Sequence, residues 1–393
     1  MKRLKIMNAQ AITPEGIIGN SCVIVENGKI SLVAGKDVSA GDCKVVDAGG
    51  NYIAPGFVDI HTHGAGGHDF MDNTVEAYLG AARSQLIHGT TSVCPTTLAS
   101  GIDELKGTFE TFRRAKKMNK EGARFLGMHL EGPYFALSQK GAQDPRFIKN
   151  PEPEEYKRIL EWTGDIIRWS AAPELEGALE FAEYLRAKGI LPSIAHTDAT
   201  YEQVLKAFDS GFTHITHFYN ATSGVRKINA YRYAGVIESG YLIDDMTVEV
   251  IADGCHLPGS LLKLVYKIKG SEKTALVTDS MRAAGMPEGE SILGSLKEGQ
   301  RVLVEDGVAK MPDRTSFAGS VATTDRLVRT MVRQAGVPLT EAVKMMTQTP
   351  AKIIGASERI GSLSKGYNAD LVVFDKDINI KTVILDGIVV YEV

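Results

Sequence analysis

Hydrophobic and polar positions follow two different patterns along the chain. At both ends, short β-branched runs are separated by turn dipeptides, Asn27-Gly28 near the start and Asp386-Gly387 near the end. Dipeptides of this type favour two-residue β-hairpins. Because a lone hairpin is only marginally stable in water, we expect the two terminal groups to pack together as one small β-sandwich domain.

The central part of the chain alternates short apolar runs with amphipathic stretches. The apolar runs are residues 57–60, 91–93, 125–130, 191–195, 214–216, 247–251 and 275–277. Between them, apolar residues recur with helical spacing in residues 74–88, 102–119, 176–188, 201–210, 259–267, 324–335 and 339–346. Strands that alternate with helices predict a parallel sheet, and seven or eight such units favour a closed (β/α)8 TIM-type barrel over an open doubly wound sheet.

These patterns divide the chain into two domains of the α/β class. We expect a discontinuous small β domain over residues 1–54 and 357–393, and a barrel over residues 55–356. The length of 393 residues suits one barrel of about 250 residues with an accessory domain. A further hairpin is predicted around Asp306-Gly307, late in the barrel.

Composition excludes several classes of partner. The formal net charge of −4 argues against a nucleic-acid-binding surface. No run of residues is apolar enough for a signal peptide or a membrane span. The four cysteines lack CxxC spacing, as expected of reduced thiols, so we expect a cytoplasmic protein.

Two histidines follow the first apolar run of the barrel. His61 and His63 are two residues apart, so on a strand they point to the same face and can reach one metal ion. They enter a glycine-rich segment, Gly64-Ala65-Gly66-Gly67. This placement favours metal ligands over ordinary core histidines.

Four more polar residues end later apolar runs, and they are Glu131, His196, His217 and Asp279. In a barrel such positions converge on the C-terminal face, where catalytic residues lie. Imidazole and carboxylate ligands without thiolates suit zinc, iron or manganese in an open catalytic site. By strand parity, His214 should instead face the helices, as a core residue or as support for a ligand.

Eight segments resemble one enzyme family in order and position. They are PGFVDIHTHG at 55–64, HGTTSVCPT at 88–96, HLEGPY at 129–134, AHTDA at 195–199, THFYNA at 216–221, IADGCH at 251–256, LVTDS at 276–280 and FAGS at 317–320. With them the chain resembles the N-acetylglucosamine-6-phosphate deacetylases of the amidohydrolase superfamily. HLEGP and HxYNA are specific to this branch, whereas the first segment indicates only the superfamily.

The resemblance implies a metal-dependent enzyme that hydrolyses a linear amide, with an amino sugar phosphate as substrate. It implies Glu131, His196 and His217 as the principal ligands, Asp279 as the catalytic acid and base, and a second ion held with His61 and His63. One or two divalent ions are therefore expected, zinc or iron first and manganese as a further candidate. A homodimer is also implied.

The resemblance further implies the residues that hold the substrate. These are Ala142 and Gln143 over the acetyl group, and Asn220, Ala221, His256, Phe317, Ala318 and Gly319 around the sugar phosphate. Two positions depart from the family pattern. Gln143 stands where some members carry a histidine, and Asn229 falls near an expected phosphate-binding arginine, for which Arg226, Lys227 or Arg232 could substitute.

These departures leave the substrate open. The alternatives are N-acetylgalactosamine 6-phosphate, an unphosphorylated N-acetyl amino sugar, or another small amide such as an N-acylated D-amino acid. A catalytically silent barrel is a third alternative, which the complete set of candidate ligands disfavours.

Overall fold

The computed structural model describes residues 3–393, so the first two residues of the predicted small domain lie outside the described residues. The chain begins with five strands of one sheet: β1 (Arg3–Thr13), β2 (Gly16–Glu26), β3 (Lys29–Ala34), β4 (Lys44–Asp47) and β5 (Tyr52–Pro55). The predicted Asn27-Gly28 turn joins β2 to β3, and both of its residues have positive φ.

The remaining elements follow in chain order. To residue 210 they are β6 (Phe57–Thr62), β7 (Gly64–Ala65), β8 (His68–Asp69), α1 (Val75–Leu86), β9 (Thr90–Thr97), α2 (Ile102–Met118), β10 (Arg124–Phe125), β11 (Met128–Glu131), α3 (Pro153–Trp162), β12 (Ile166–Ala171), α4 (Ala178–Ala187), β13 (Leu191–Ile194) and α5 (Tyr201–Ser210). Beyond it they are β14 (His214–Ile215), β15 (Arg226–Ile228), β16 (Tyr231–Tyr233), α6 (Val236–Leu242), β17 (Thr247–Val250), α7 (Gly259–Lys269), β18 (Thr274–Leu276), β19 (Gly289–Leu293), β20 (Gln300–Glu305), β21 (Val308–Lys310), α8 (Thr324–Arg333), α9 (Leu339–Met346), α10 (Gln348–Ile353), β22 (Leu371–Phe374), β23 (Ile380–Leu385) and β24 (Ile388–Glu392).

Eight parallel strands form the barrel, and their order around it is β6, β9, β11, β12, β13, β14, β17 and β18. A parallel bridge between Thr62 and Ser280 closes the ring. Helices connect most successive strands and pack outside them, as right-handed crossovers require. The structure therefore confirms the predicted (β/α)8 barrel.

The two chain ends meet in a separate sheet with the order β24-β23-β22-β5-β1-β2-β3, in which β4 pairs with β1. The junction is the antiparallel pair β5 and β22, where Ile53 lies opposite Val373. The predicted small β-sandwich domain from both termini is thus confirmed. Its boundaries at residues 54/55 and 356/357 stay a prediction.

Two local expectations about the barrel strands were incomplete. The predicted strand 125–130 is interrupted between β10 and β11 by Leu126-Gly127, where a Cβ added to Gly127 would lie 2.5 Å from Cγ2 of Ile167. Strand β12 was not predicted, because Arg168 interrupts its apolar run. The predicted hairpin at Asp306-Gly307 is present as β20 and β21.

The main apolar core lies between the barrel strands and the helices. Trp169 of β12 is fully buried and packs edge to face on Phe181 of α4, with ring centroids 5.1 Å apart. Its Nε1 also donates a 2.8 Å hydrogen bond to the carbonyl of Gly132, directly after β11. The packing and hydrogen bond of Trp169 thus fix the end of β11, which carries the candidate ligand Glu131.

Candidate active site

Six candidate residues meet at the C-terminal ends of the barrel strands, and all six are buried: His61, His63, Glu131, His196, His217 and Asp279. Three of them leave their strands with left-handed backbone, since φ is 47° at His196, 29° at His217 and 46° at Asp279. Such conformations are costly for residues with side chains, and they cluster at functional sites. Here they turn the three side chains inward toward Glu131.

The first cluster consists of Glu131, His196 and His217. Glu131 Oε1 lies 3.3 Å from His196 Nε2 and 3.0 Å from His217 Nε2, and the two ring nitrogens are 3.2 Å apart. Ligand atoms at 2.0–2.1 Å from a tetrahedral ion are about 3.3 Å from one another. The three donor atoms therefore form one face of a tetrahedron of suitable size for a metal ion.

The second cluster consists of His61, His63 and Asp279. Asp279 Oδ1 lies 3.4 Å from His61 Nε2 and 3.1 Å from His63 Nε2. Glu131 lies between the clusters, with Oε1 3.6 Å from His61 Nε2 and Oε2 3.4 Å from His63 Nε2. Imidazole nitrogens and carboxylate oxygens of this kind suit zinc, iron or manganese.

Hydrogen bonds at the opposite ring nitrogens orient the imidazoles. Nδ1 of His63, His196 and His217 faces the backbone carbonyls of Thr96, Gln139 and Asn220, at 3.3, 2.8 and 3.0 Å. A carbonyl oxygen only accepts hydrogen bonds, so Nδ1 carries the hydrogen and donates, which leaves the Nε2 side of the ring facing the cluster. This is the tautomer that a metal ion requires.

The two carboxylates are held in their charged form. Burial alone would raise the pKa of Glu131, but the imidazoles of His61, His196 and His217 hold it well below its ordinary value. Burial likewise opposes ionisation of Asp279, and His61 and His63 lower its pKa. Although burial opposes it, Asp279 and Glu131 raise the pKa of His63. The two anionic carboxylates thus attract positive charge, and a divalent cation would displace a proton from this imidazole on binding.

Below the clusters, the barrel interior contains charged residues that the sequence did not identify as functional. Glu249 of β17 is fully buried and pairs with Arg168 of β12, with 2.6 Å between Oε2 and Nη1. Burial opposes its ionisation, yet the Arg168 guanidinium and His61 keep the pKa of Glu249 well below its usual range. A charged residue inside an apolar strand was the only available signal for either position.

His214 was expected to face the helices, and this was wrong. Its Nε2 lies 3.1 Å from Glu249 Oε2, inside the barrel. Strand β14 ends at Ile215, and His217 has left-handed backbone, so strand parity does not extend from one histidine to the other. Burial lowers the pKa of His214 to about 4, which keeps this imidazole neutral.

A cavity of about 240 Å³ opens above the clusters. Seven of the predicted substrate-binding residues line it, and they are Ala142, Gln143, Asn220, Ala221, His256, Phe317 and Gly319. Ala318 is instead fully buried behind the lining, and Arg226 lies outside it in the β15–β16 hairpin. Among residues 3–393, no Lys or Arg lines this cavity.

Two lining side chains are fixed by neighbours. Gln143 Nε2 donates a 2.7 Å hydrogen bond to Glu131 Oε2, and its Oε1 accepts one of 2.9 Å from the backbone of Ala99. His256 Nδ1 lies 2.8 Å from Asp253 Oδ2, and its ring packs 4.6 Å from that of Phe317. These contacts hold Gln143 and His256 in place on the wall where the resemblance places substrate.

A barrel with paired histidine and carboxylate clusters at its C-terminal mouth defines a metal-dependent enzyme of the hydrolase type. The sequence matches the model of the Amidohydrolase family over residues 52–390. The chain therefore belongs to the amidohydrolase family.

Proteins similar to this chain include deacetylases that act on N-acetyl amino sugar phosphates. The N-acetylglucosamine-6-phosphate deacetylase of Vibrio furnissii is 33% identical over 93% of this chain and 90% of its own length. The N-acetylgalactosamine-6-phosphate deacetylase of Escherichia coli O157:H7 is 29% identical over 96% of both chains. The crystal structure of N-acetylglucosamine-6-phosphate deacetylase from Pasteurella multocida superposes with a TM-score of 0.90 at 29% identity, and covers 98% of each chain.

Within the described part of the chain, no helix is long and apolar enough to cross a membrane.

Proposed function

We propose that this protein is a metal-dependent deacetylase that hydrolyses the acetamide of N-acetylglucosamine 6-phosphate to glucosamine 6-phosphate and acetate. The observation that carries the proposal is the position of Glu131 between two ligand clusters at the floor of a cavity that Asp279 also lines. The names of the similar proteins supply the substrate. A catalytically silent barrel is disfavoured, because all six candidate residues are in place.

The site fits one or two divalent ions, with zinc or iron as the first candidates and manganese as a further one. Glu131, His196 and His217 would hold one ion, and His61, His63 and Asp279 with Glu131 would hold the other. The His61 Nε2 atom is buried and has no hydrogen-bond partner among the described residues, as expected of a metal ligand. A bound divalent ion polarises a carbonyl oxygen and lowers the pKa of its water to about 7.

Asp279 is the proposed acid and base. Its carboxylate is ionised in the resting site, so it accepts the proton of the attacking water. It then returns that proton to the nitrogen of the departing amine, which is a poor leaving group unless protonated. The structure groups Asp279 with His61 and His63, so the same carboxylate also belongs to a ligand cluster.

The substrate is proposed to lie against the walls of the cavity. Asn220 Nδ2 is buried without a hydrogen-bond partner among the described residues, which leaves a donor free for a sugar or phosphate oxygen. His256 and Phe317 offer a second polar group and an apolar ring. Because no Lys or Arg among residues 3–393 lines the cavity, the charge for a phosphate would come from outside its walls. The β15–β16 hairpin offers Arg226, whose Nε is buried without a partner among the described residues.

The second candidate substrate is N-acetylgalactosamine 6-phosphate, because the Escherichia coli O157:H7 relative is an N-acetylgalactosamine-6-phosphate deacetylase. The two sugars differ only in the orientation of one hydroxyl group, and neither the ligand clusters nor the cavity separates them. The homodimer and the cytoplasmic location stay predictions.

Acetate release tests the proposal directly. Purified protein loaded with zinc should release acetate from N-acetylglucosamine 6-phosphate faster than from N-acetylgalactosamine 6-phosphate and far faster than from unphosphorylated N-acetylglucosamine. Faster release from the galactosamine compound would favour the second candidate. Turnover of the unphosphorylated sugar alone would contradict recognition of the phosphate, and no release from any of them would reject the deacetylase.

A further inference from the structure

The carboxylate of Glu249, inside the barrel below the clusters, contacts a residue of each cluster. Glu249 Oε1 accepts a 2.7 Å hydrogen bond from Nδ1 of His61 and a 3.1 Å hydrogen bond from the backbone N–H of His217. Its other oxygen, Oε2, is held by Arg168 at 2.6 Å and by His214 at 3.1 Å. Glu249 therefore orients the imidazole of His61 but contacts only the main chain of His217, whose ring is oriented by the carbonyl of Asn220.

His61 differs from the other three histidines in what orients it. Their Nδ1 atoms face neutral backbone carbonyls, whereas Nδ1 of His61 donates to a carboxylate. A hydrogen bond to a charged acceptor is stronger, and it also makes the opposite nitrogen a better electron donor. The Nε2 atom of His61 is thus oriented toward Asp279, and Glu249 makes it a better electron-pair donor to a metal ion.

Arg168 prevents Glu249 from turning away. Its guanidinium is 1% exposed and also donates to Ser193 Oγ at 3.0 Å and to Thr216 Oγ1 at 2.6 Å. These partners lie on two further barrel strands or directly after them. The position of the Glu249 carboxylate is therefore set by the barrel itself rather than by a loop.

We propose that Glu249, supported by Arg168 and His214, is the positioning residue that makes His61 a metal ligand and so enables the His61–His63–Asp279 cluster to bind a second ion. The inference rests on the metal-dependent chemistry of the proposed function. Binding of the second ion then depends on residues that contact neither metal nor substrate.

The test compares metal content in variants of the zinc-loaded protein. Glu249→Gln combined with Arg168→Met removes the carboxylate without leaving an unpaired buried cation. Each protein is equilibrated with a series of chelator concentrations, and the zinc that stays bound is measured per chain. We expect wild type to hold two ions. The double variant should keep one ion at wild-type strength and bind the other about 10- to 100-fold more weakly.

A matched control removes another buried ion pair that contacts no ligand. Asp72 and Arg282 are 8% and 7% exposed and lie 2.7 Å apart, so Asp72→Asn with Arg282→Met makes a similar change at a pair that contacts none of the six cluster residues. This control should retain two ions at wild-type strength. Thermal unfolding of each variant reports whether the fold is kept.

A second variant decides the matter if the double variant does not fold. Glu249→Asp keeps a charge beside Arg168 but shortens the reach toward His61 by one methylene, so it should weaken the second ion alone. Equal loss of both ions, an unchanged second ion, or a single ion in wild type would overturn the inference. Because metal content needs no substrate, a wild type that holds two ions yet releases no acetate would reject the deacetylase and leave this inference standing.

Discussion

Gln143 donates a hydrogen bond of 2.7 Å from Nε2 to Oε2 of Glu131, the carboxylate that lies between the two ligand clusters. The other end of the Gln143 amide is occupied by the backbone N–H of Ala99. Gln143 therefore orients a candidate ligand, and it also lines the cavity in which the family resemblance places the acetyl group of the substrate.

Replacing Gln143 by Leu should weaken metal retention about 10- to 100-fold, because Glu131 loses the partner that fixes its rotamer. Metal content against a chelator series measures this. Gln139→Leu, on the same loop, is the control, since only the backbone carbonyl of Gln139 contacts His196. Normal metal retention with a raised KM in Gln143→Leu would instead support direct contact with substrate.

Asp279→Asn should lower turnover by about 10²- to 10⁴-fold, because the amide cannot accept a proton from water. The ion of the Glu131–His196–His217 cluster should stay bound, since Asp279 is not part of it. Single-turnover acetate release and metal content measure the two effects. Near-normal release would reject the acid and base role.

Single ligand substitutions should separate the two ions. His196→Ala should lose the ion of the first cluster, and His63→Ala only that of the second. Glu131→Gln should weaken both, because its carboxylate lies within 3.6 Å of a histidine in each cluster. Metal content per chain measures all three variants, and an unchanged content in one of them would remove that residue from the ligands.

Asp325 should contribute stability that depends on pH. Although burial raises the pKa of this carboxyl group, hydrogen bonds from His88, Thr323 and Arg329 lower it below its ordinary value. Asp325→Asn should therefore cost about 2 kcal/mol of unfolding free energy at pH 7. The difference should persist above the unfolded pKa of about 3.9 and vanish as the pH falls through the lower folded pKa.

Urea unfolding of the metal-free proteins at several pH values measures this difference. Asp377→Asn is the control, because its ion pair with Arg333 has side chains 52% exposed on both sides and should contribute little. A constant difference between wild type and Asp325→Asn down to pH 2 would contradict the assignment.

The sequence predicted the barrel and the six cluster residues because both depend on local patterns. Each of Glu131, His196, His217 and Asp279 comes at the end of an apolar run, and the ends of parallel strands converge in space. The floor of the site was not predictable in this way. Glu249 and Arg168 are 81 positions apart in sequence, and only closure of the barrel brings them together.

Short or irregular elements were also missed. Helix α6 spans seven residues, too few for a clear helical period. Helix α3 begins with Pro153 and two glutamates, which is a usual start signal, but its apolar positions are sparse. Left-handed backbone at His196, His217 and Asp279 was not predictable from residue type, because histidine and aspartate adopt it more often than most residues but far less often than glycine.

The small β domain has a consequence for how the active site is assembled during synthesis. Strand β5 is separated by Gly56 alone from β6, which carries His61, and the N–H of Gly56 donates to the carbonyl of Asp370. One sheet partner of β5 is β22, which is synthesised after β18, the last barrel strand. Strand β6 carries His61, the first histidine to be synthesised, but β5 beside it pairs with a strand near the end of the chain. A chain that terminates before β22 would therefore contain every candidate ligand yet lack the sheet contacts that fix the start of β6.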